Sequence, residues 1–192
     1  LSYGLPRVNQ SGTLLEGIKL WGELKPHLTA DAIKERALKF CKWAIARGTL
    51  AIRSHVDVSG QNLVGVEALL DVRDTMKDFI DIQLVAFPQD GLFRANCLNN
   101  LKAALDMGVD VVGGIPHFER TMEDGHESIR VLCELAEKRG LLTDLHCDET
   151  DDPMSRNVEK LVMETTRLGL KGRVAGSHLT SMHSMDNYYF TK

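Results

Sequence analysis

"GLLTDLHCDETDD", residues 140–152, begins as an apolar segment and ends as a cluster of ionisable groups. Its leucines suit a β-strand covered on both faces, as in a parallel sheet. The apolar segment ends at Leu145, His146 follows it, and the acidic residue Glu149 lies three residues after His146. Because buried charges need partners or a metal, this stretch predicts a buried strand with a functional site at its carboxyl end.

Four other segments share the strand-like pattern and alternate with helical patterns. The five strand-like segments are "TLAIRSHVDV" (49–58), "IDIQLVAF" (80–87), "VDVVGGIPH" (109–117), "LLTDLHC" (141–147) and "RVAGSHL" (173–179). Thr29 and Ser155 are expected to begin two of the helices, and Gly140 to end a third. The repeat of about 30 residues matches one βα unit, so the sequence predicts an α/β fold with a parallel sheet.

A parallel sheet of this kind has two common architectures, an open doubly wound sheet and a closed (β/α)8 TIM barrel. The sequence has no GxGxxG after its first strand and no Walker glycine loop. Polar residues instead follow nearly every strand: His55, Asp57, Gln89, His117, His146, Glu149 and His178. These strand ends converge on the active-site face of a barrel, which favours the barrel. Eight units need about 250 residues, so the 192 residues predict a piece of a longer protein.

The charge, the apolar runs and the cysteine spacing argue against several classes of protein. The formal net charge of −4 is mild and no block of like charge occurs, which argues against nucleic-acid or membrane partners. No apolar run reaches the roughly 20 residues of a membrane span, and no signal peptide is visible. The four cysteines form no CxxC pair, as is usual for reduced thiols. We therefore expect a soluble cytoplasmic protein, and Leu1 in place of Met suggests that the natural start lies elsewhere.

His146 and Glu149 form the clearest candidate pair. A neutral imidazole can bind a divalent metal, and a carboxylate in the loop above it can move a proton between water and substrate. His178, at the end of the next strand, could bind the metal or the attacking hydroxide. Gln89 offers a donor and an acceptor suited to a pyrimidine or purine edge, although it could equally be an ordinary loop residue.

Other polar residues are weaker candidates. His117 belongs to an HxE triplet, but the second zinc-deaminase signature also needs a PCxxC run, which the sequence lacks. His55 and Asp57 are interpreted as supporting or core polar groups. Asp151 and Asp152 are expected in a solvated loop or in the N-terminal region of the next helix.

Several runs together closely resemble the bacterial cytosine deaminases of the amidohydrolase superfamily. They are "NQSGTLLEGI", "RSHVDV", "VAFPQDG", "DVVGGIPHFE", "LHCDE" and "SHLTSMHS", which occur in the family's order over essentially the whole chain. Triazine-degrading hydrolases share "HVDV" and "VAF" but are more distant elsewhere. The resemblance implies a (β/α)8 barrel, one Fe²⁺ or Zn²⁺ per subunit, and a homo-oligomer acting on a small nucleobase-like substrate.

The resemblance also implies roles for individual residues. By position, His146 would be a metal ligand, Glu149 the proton shuttle, and His178 the group that stabilises the attacking hydroxide. Gln89 would hold the pyrimidine through its amide, and the backbone around Leu14 would contact the base. The implied reaction is metal-dependent hydrolytic deamination of cytosine or a close relative, with a uracil-type product and ammonia.

The sequence departs from the family at two places. The HxH pair of the first barrel strand and the aspartate of the last strand fall outside residues 1–192, so we expect a partial barrel domain with about strands 2–6 and one of four metal ligands, His146. Arg7 and Val8 replace the family's usual residues in "LPRVNQ". Isoguanine, 5-methylcytosine, creatinine or a triazine therefore remain alternative substrates, and a non-catalytic fragment or pseudoenzyme that serves as a binding module is the alternative class.

Overall fold

The computed structural model describes residues 4–191 and has an α/β fold. Its strands are β1 (Ala51–Asp57), β2 (Asp81–Phe87), β3 (Val111–Gly114), β4 (Leu142–Cys147) and β5 (Val174–His178). Its α-helices are α1 (Leu14–Leu24), α2 (Ala30–Ile45), α3 (Val64–Met76), α4 (Cys97–Asp106), α5 (Met122–Arg139), α6 (Asn157–Arg167) and α7 (Asn187–Thr191). A helix separates each strand from the next, as the repeat predicted.

The five strands form one sheet in the order of the sequence, β1-β2-β3-β4-β5. Strands β2 to β5 pair in parallel, with Val112 opposite Thr143 and His146 opposite Ser177. Sequential order without a reversal is the arrangement of consecutive barrel strands, whereas a doubly wound sheet reverses its order at a switch point. The barrel-type α/β prediction is therefore confirmed for the strands in this chain.

The chain folds into two compact units, of which the first comprises residues 1–52 and 63–82. Its core lies between α2 and α3, where Ala37 and Cys41 contact Val72 and Met76. Helix α2 begins as predicted at Thr29, whose hydroxyl accepts a hydrogen bond from the Ala32 N–H and so satisfies an unpaired donor of the first turn. This unit is held together by an amphipathic helix pair.

The second unit comprises residues 53–62 and 83–192. Its core is the sheet and the apolar faces of α4 and α5, with fully buried Val85, Val111, Leu132 and Leu145. Helix α5 ends at the predicted Gly140, whose φ of +67° is the left-handed conformation that favours glycine at a helix end. The polar residues discussed below lie at the carboxyl ends of this sheet.

The predicted third strand, 109–117, was too long. Strand β3 ends at Gly114, and Pro116–Phe118 form a 3₁₀ helix that contains His117. Proline has no N–H to donate to a neighbouring strand, and the Phe118 N–H bonds to the Ile115 carbonyl instead. His117 therefore lies in a helical turn after the strand.

The prediction that a helix begins at Ser155 was also wrong, because α6 begins at Asn157. The Ser155 hydroxyl donates to the Asp148 carboxylate at 2.7 Å and does not cap the helix. Asp148 itself accepts the N–H groups of Asn157 and Val158. The first turn of the helix is thus bonded to the residue that follows β4, nine positions before the helix begins.

Within residues 4–191, no helix combines the length and the apolar composition needed to cross a membrane.

Candidate active site

Three imidazoles and one phenyl ring meet at the carboxyl ends of the strands. The His146 ring centroid lies 4.5 Å from that of His55 and 4.6 Å from that of His178. Phe87, the last residue of β2, lies 4.5 Å from His146 and 5.2 Å from His55. The structure therefore brings together side chains from β1, β2, β4 and β5, as expected for parallel strands that end at one edge.

Glu149 completes this group from the loop after β4. Its Oε1 lies 3.6 Å from Nδ1 of His178. One ligand atom each of His146, Glu149 and His178 lies within 4.8 Å of the others. Two imidazoles and a carboxylate at this spacing are a donor set that suits a divalent transition metal.

Burial disfavours the charged form of the His146 and His55 rings, and the neutral form is the one that binds metals. Burial is the main cause that lowers the pKa of His146 to about 4, and His55 and His178 lower it further. Burial also lowers the pKa of His55, although the nearby Asp144 carboxylate opposes that shift. Among residues 4–191, Nε2 of His55 and Nδ1 of His117 are buried and meet no hydrogen-bond partner. These unpaired nitrogens and the neutral His146 ring fit a site built to receive a metal and a polar ligand.

Asp148, which precedes Glu149 in the chain, is fully buried. Its Oδ1 accepts hydrogen bonds from the Ser155 hydroxyl at 2.7 Å and from the Asn157 amide at 2.9 Å. The Asn157 backbone N–H donates to the same oxygen at 3.1 Å, and the Val158 N–H donates to Oδ2 at 2.9 Å. A buried carboxylate with four neutral donors at a helix N-terminus is stable without a cation. The sequence showed an acidic cluster here but did not distinguish Asp148 from its neighbours.

The backbone around the candidate residues has unusual dihedral angles. Asp148, His178 and Leu179 have φ values of +53°, +74° and +53°. Such angles are uncommon for residues with a side chain, and they concentrate at functional sites where the surroundings enforce them. Here the Leu179 N–H donates to the Cys147 carbonyl, and the Ser181 N–H donates to the Asp148 carbonyl.

A second polar group lies on β1, β4 and β5, one step further from the strand ends. Nη1 of Arg53 lies 2.7 Å from the Asp144 carboxylate, which is buried. The Ser177 hydroxyl donates to Asp144 Oδ1 at 2.9 Å, and His55 Nε2 lies 3.9 Å from Oδ2. Sequence analysis missed Arg53 and Asp144, although a charged pair within two apolar strands is the signal that could have indicated them.

Gln89 lies two residues beyond β2 and is half-buried, and its backbone N–H donates to the Phe87 carbonyl at 3.0 Å. The loop that follows is held by Glu119, whose carboxylate accepts the Leu92 N–H. Burial raises the pKa of Glu119, and the N–H groups it accepts oppose the shift. Gly91 has a φ of +97°, and a Cβ there would lie 3.0 Å from Glu119, so the loop beside Gln89 packs closely on this carboxylate.

Leu14 belongs to the first compact unit, where it begins α1 with an exposed side chain. The "NQSGTL" segment before it is a tight turn, in which the Gly12 N–H donates to Asn9 and the Thr13 hydroxyl accepts the Glu16 N–H. Arg7, one of the departures from the family, pairs with Glu16 at 3.0 Å. The substrate role of Leu14 stays a prediction.

Of the weaker candidates, one lies at the site and the others lie in the turns and loops after the strands. His55 contacts the His146 ring and is therefore closer to the site than we expected. Asp57 accepts the Ser59 N–H at 2.7 Å, which stabilises the turn after β1. Asp151 and Asp152 are exposed, as predicted.

The sheet order and the histidine–carboxylate cluster at its strand ends define an α/β barrel-type protein with a candidate metal site at His146, Glu149 and His178. The amidohydrolase family matches residues 1–189, and the chain belongs to that family. Members are generally metal-dependent hydrolases, in agreement with the ligand group described above. The prediction of an amidohydrolase is confirmed.

Three relatives match most of the chain, at sequence identities from 26% to 43%. A crystal structure of 5-methylcytosine deaminase from Klebsiella pneumoniae, liganded with phosphonocytosine, is 43% identical with a TM-score of 0.96 and covers 100% of this chain. N-isopropylammelide isopropyl amidohydrolase from Pseudomonas sp. (strain ADP) is 35% identical over 78% of this chain. Pterin deaminase from Rhizobium rhizogenes is 26% identical over 94% of this chain. The chain spans 47%, 38% and 41% of these three proteins, respectively.

Proposed function

We propose that the complete protein containing this chain is a metal-dependent hydrolase that deaminates cytosine, 5-methylcytosine or a closely related ring. The main support is the cluster of His146, Glu149 and His178, whose ligand atoms lie within 4.8 Å of one another. The 43% identity to a 5-methylcytosine deaminase supports a pyrimidine substrate. The reaction replaces a ring amino group by a carbonyl and releases ammonia.

In this proposal His146 holds Fe²⁺ or Zn²⁺ through a ring nitrogen, one ion per subunit. The low pKa of His146, about 4, leaves this nitrogen free of a proton at neutral pH. When bound, the metal supplies Lewis-acid activation of water, which makes hydrolysis feasible at neutral pH.

The remaining steps belong to side chains of this chain. Glu149 takes a proton from the attacking water and delivers it to the ring nitrogen. The remaining hydroxyl proton then passes to the amino group, so that the carbon–nitrogen bond breaks, ammonia leaves and a carbonyl remains on the ring. His178, whose Nδ1 lies 3.6 Å from the Glu149 carboxylate, orients the attacking water. Gln89 binds the pyrimidine edge through its amide, and the backbone at Leu14 contacts the base.

The wider context belongs to the same proposal. The relatives are about twice as long as this chain, which supports the interpretation of residues 1–192 as part of a longer barrel domain. We further propose a cytoplasmic homo-oligomer, in keeping with the family resemblance.

The first test is ammonia release by the complete protein from cytosine and 5-methylcytosine, measured with iron or zinc supplied and again after chelation. We expect release that requires the metal and returns when it is restored. Release that survives complete removal of the metal would contradict the mechanism.

A triazine is the second candidate substrate, because N-isopropylammelide isopropyl amidohydrolase is 35% identical over 78% of this chain. The same assay with N-isopropylammelide, isoguanine and creatinine distinguishes these rings. Turnover of a triazine but not of a pyrimidine would keep the family and replace the substrate. Bound metal without turnover of any ring would favour a binding module.

A further inference from the structure

We propose that Asp148 is a positioning residue that fixes the places of Glu149 and His178. The inference rests on the proposed function, since it assigns a role in that reaction to a residue that touches neither substrate nor metal. Asp148 joins the end of β4, the start of α6 and the loop after β5, three segments that meet beneath the candidate site.

The side chain of Asp148 ties β4 to α6. Both of its oxygens are occupied, by the hydroxyl of Ser155, the backbone and side-chain N–H groups of Asn157, and the backbone N–H of Val158. The Cys147 thiol also lies 3.5 Å from Oδ2. Because a buried carboxylate loses stability when any of its donors turns away, this arrangement allows the side chain only one orientation.

The backbone of Asp148 determines the direction in which Glu149 leaves the strand. Its φ of +53° turns the chain sharply after Cys147, and the anchored side chain maintains this uncommon angle. Within residues 4–191, the Glu149 carboxylate accepts no hydrogen bond of its own. Its position therefore depends on the backbone that Asp148 fixes.

The same anchor reaches the loop that contains His178. The Asp148 carbonyl accepts the Ser181 N–H at 3.2 Å, and the Cys147 carbonyl accepts the Leu179 N–H at 2.9 Å. The Ser181 hydroxyl donates to the Ser155 carbonyl at 2.8 Å. His178, with a φ of +74°, thus lies directly before a loop whose N–H groups bond to the Cys147 and Asp148 carbonyls.

The primary experiment compares Asp148→Asn with Asp110→Asn in the complete protein. In Asp148→Asn the side-chain NH2 group would face the N–H groups of Asn157 and Val158, which are also donors. We expect this mismatch to shift the loop that contains Glu149. A shift of about 1 Å can cost about 100-fold in rate, and we expect kcat to fall by about that factor with KM within about threefold. Asp110 is a matched control, because its carboxylate also accepts a backbone N–H, that of Leu84, before β3. We expect Asp110→Asn to keep kcat within about threefold.

A double-mutant cycle with Glu149→Gln separates positioning from general destabilisation. If Asp148 acts through Glu149 as well as His178, Asp148→Asn should lower the residual rate of the Glu149→Gln protein by clearly less than the roughly 100-fold expected in the wild-type background. An equal reduction of kcat in both backgrounds would overturn the inference, as would wild-type kcat in Asp148→Asn.

Amide hydrogen exchange tests the inference without any turnover. In Asp148→Asn we expect the amides of Leu179 and Ser181 to exchange at least about tenfold faster than in the wild type, while that of Val85 in β2 is unchanged. Unchanged exchange at both amides would overturn the inference even if the wild type deaminates pyrimidines. Faster exchange in a protein without deaminase activity would support the positioning role and reject only the proposed reaction.

If Asp148→Asn does not fold, Asn157→Ala replaces it, because it removes the 2.9 Å side-chain bond to Asp148 and leaves the charge in place. We then expect a roughly tenfold lower kcat in a folded protein. An unchanged kcat in this variant would overturn the inference.

Discussion

At the scale of single residues, burial and hydrogen bonding divide one acidic cluster into separate roles. Asp148 is fully buried and bonded to α6, whereas Asp151 is exposed. Glu149, between them, is half-buried and lies 3.6 Å from His178. A carboxylate that is partly shielded and lies beside an imidazole suits proton transfer better than either neighbour.

Replacing Glu149 by Gln should abolish most turnover and leave the metal bound. The amide keeps the shape of the side chain but cannot accept and return a proton, so we expect kcat to fall by about 10²–10⁴-fold. Metal content by elemental analysis should stay at one ion per subunit. Asp151→Asn is the control, since it removes the same charge from an exposed position, and retained activity in Glu149→Gln would exclude Glu149 from the mechanism.

The pKa of His146 predicts acid sensitivity of the metal-free protein. Its folded-state pKa of about 4 lies below the ordinary 6.5, so the unfolded chain binds the proton more readily. The contribution of His146 to stability is therefore complete above about pH 6.5 and is lost as the pH falls towards 4. Urea unfolding in chelator between pH 7 and 4.5 should show a smaller loss of stability in His146→Gln than in the wild type. His27→Gln, at an exposed position, should behave like the wild type.

At the scale of secondary-structure elements, close approach between helices positions the start of α6. Gly125 in α5 faces Asn157 and the Pro116 carbonyl, and a Cβ at this position would lie 2.6 Å and 2.8 Å from their oxygens. Only glycine allows this approach. Because Asn157 also bonds to Asp148, the packing of α5 on α6 affects the geometry of the site.

Gly125→Ala should therefore destabilise the protein. We expect a loss of about 2–3 kcal/mol in the free energy of unfolding, the usual cost of a clash in a packed interior. The matched control is Gly22→Ala in α1, where a Cβ meets no atom within 4 Å. There the better helix propensity of alanine should stabilise by up to about 1 kcal/mol. Equal effects of the two substitutions in urea unfolding would contradict the packing argument.

At the scale of the whole molecule, contacts between residues distant in sequence hold the strands of the second unit in place. Arg53 on β1 and Asp144 on β4 are 91 residues apart and form a 2.7 Å ion pair. Asp144 is buried, while the Arg53 side chain is 36% exposed. Removing only one partner of such a pair destabilises the protein, because the other charge stays buried without a counter-charge.

Arg53→Met should destabilise the protein by about 1–3 kcal/mol, less than for a fully buried pair because solvent reaches the guanidinium. Addition of Asp144→Asn should restore part of this loss, since no unpaired charge is then left. Lys34→Met, which breaks the exposed ion pair with Asp71, is the control and should cost much less, because solvent screens an exposed pair. The check is urea unfolding of the wild type, Arg53→Met, Asp144→Asn, their double variant and Lys34→Met, and additive losses for Arg53 and Asp144 would argue against coupling.

The sequence by itself determined the βα repeat, the order of the strands and the amidohydrolase family. These follow from local signals, namely apolar runs, helix caps such as Thr29, and polar residues at the strand ends. It also indicated His146, Glu149 and His178, because the ends of parallel strands meet at one edge. Only the tertiary structure decided that His55 contacts His146, that Arg53 pairs with Asp144, and that Asp148 anchors α6. The first two contacts join residues about 90 positions apart, and the third depends on the burial and direction of the Asp148 side chain; these arise from packing that no local pattern encodes.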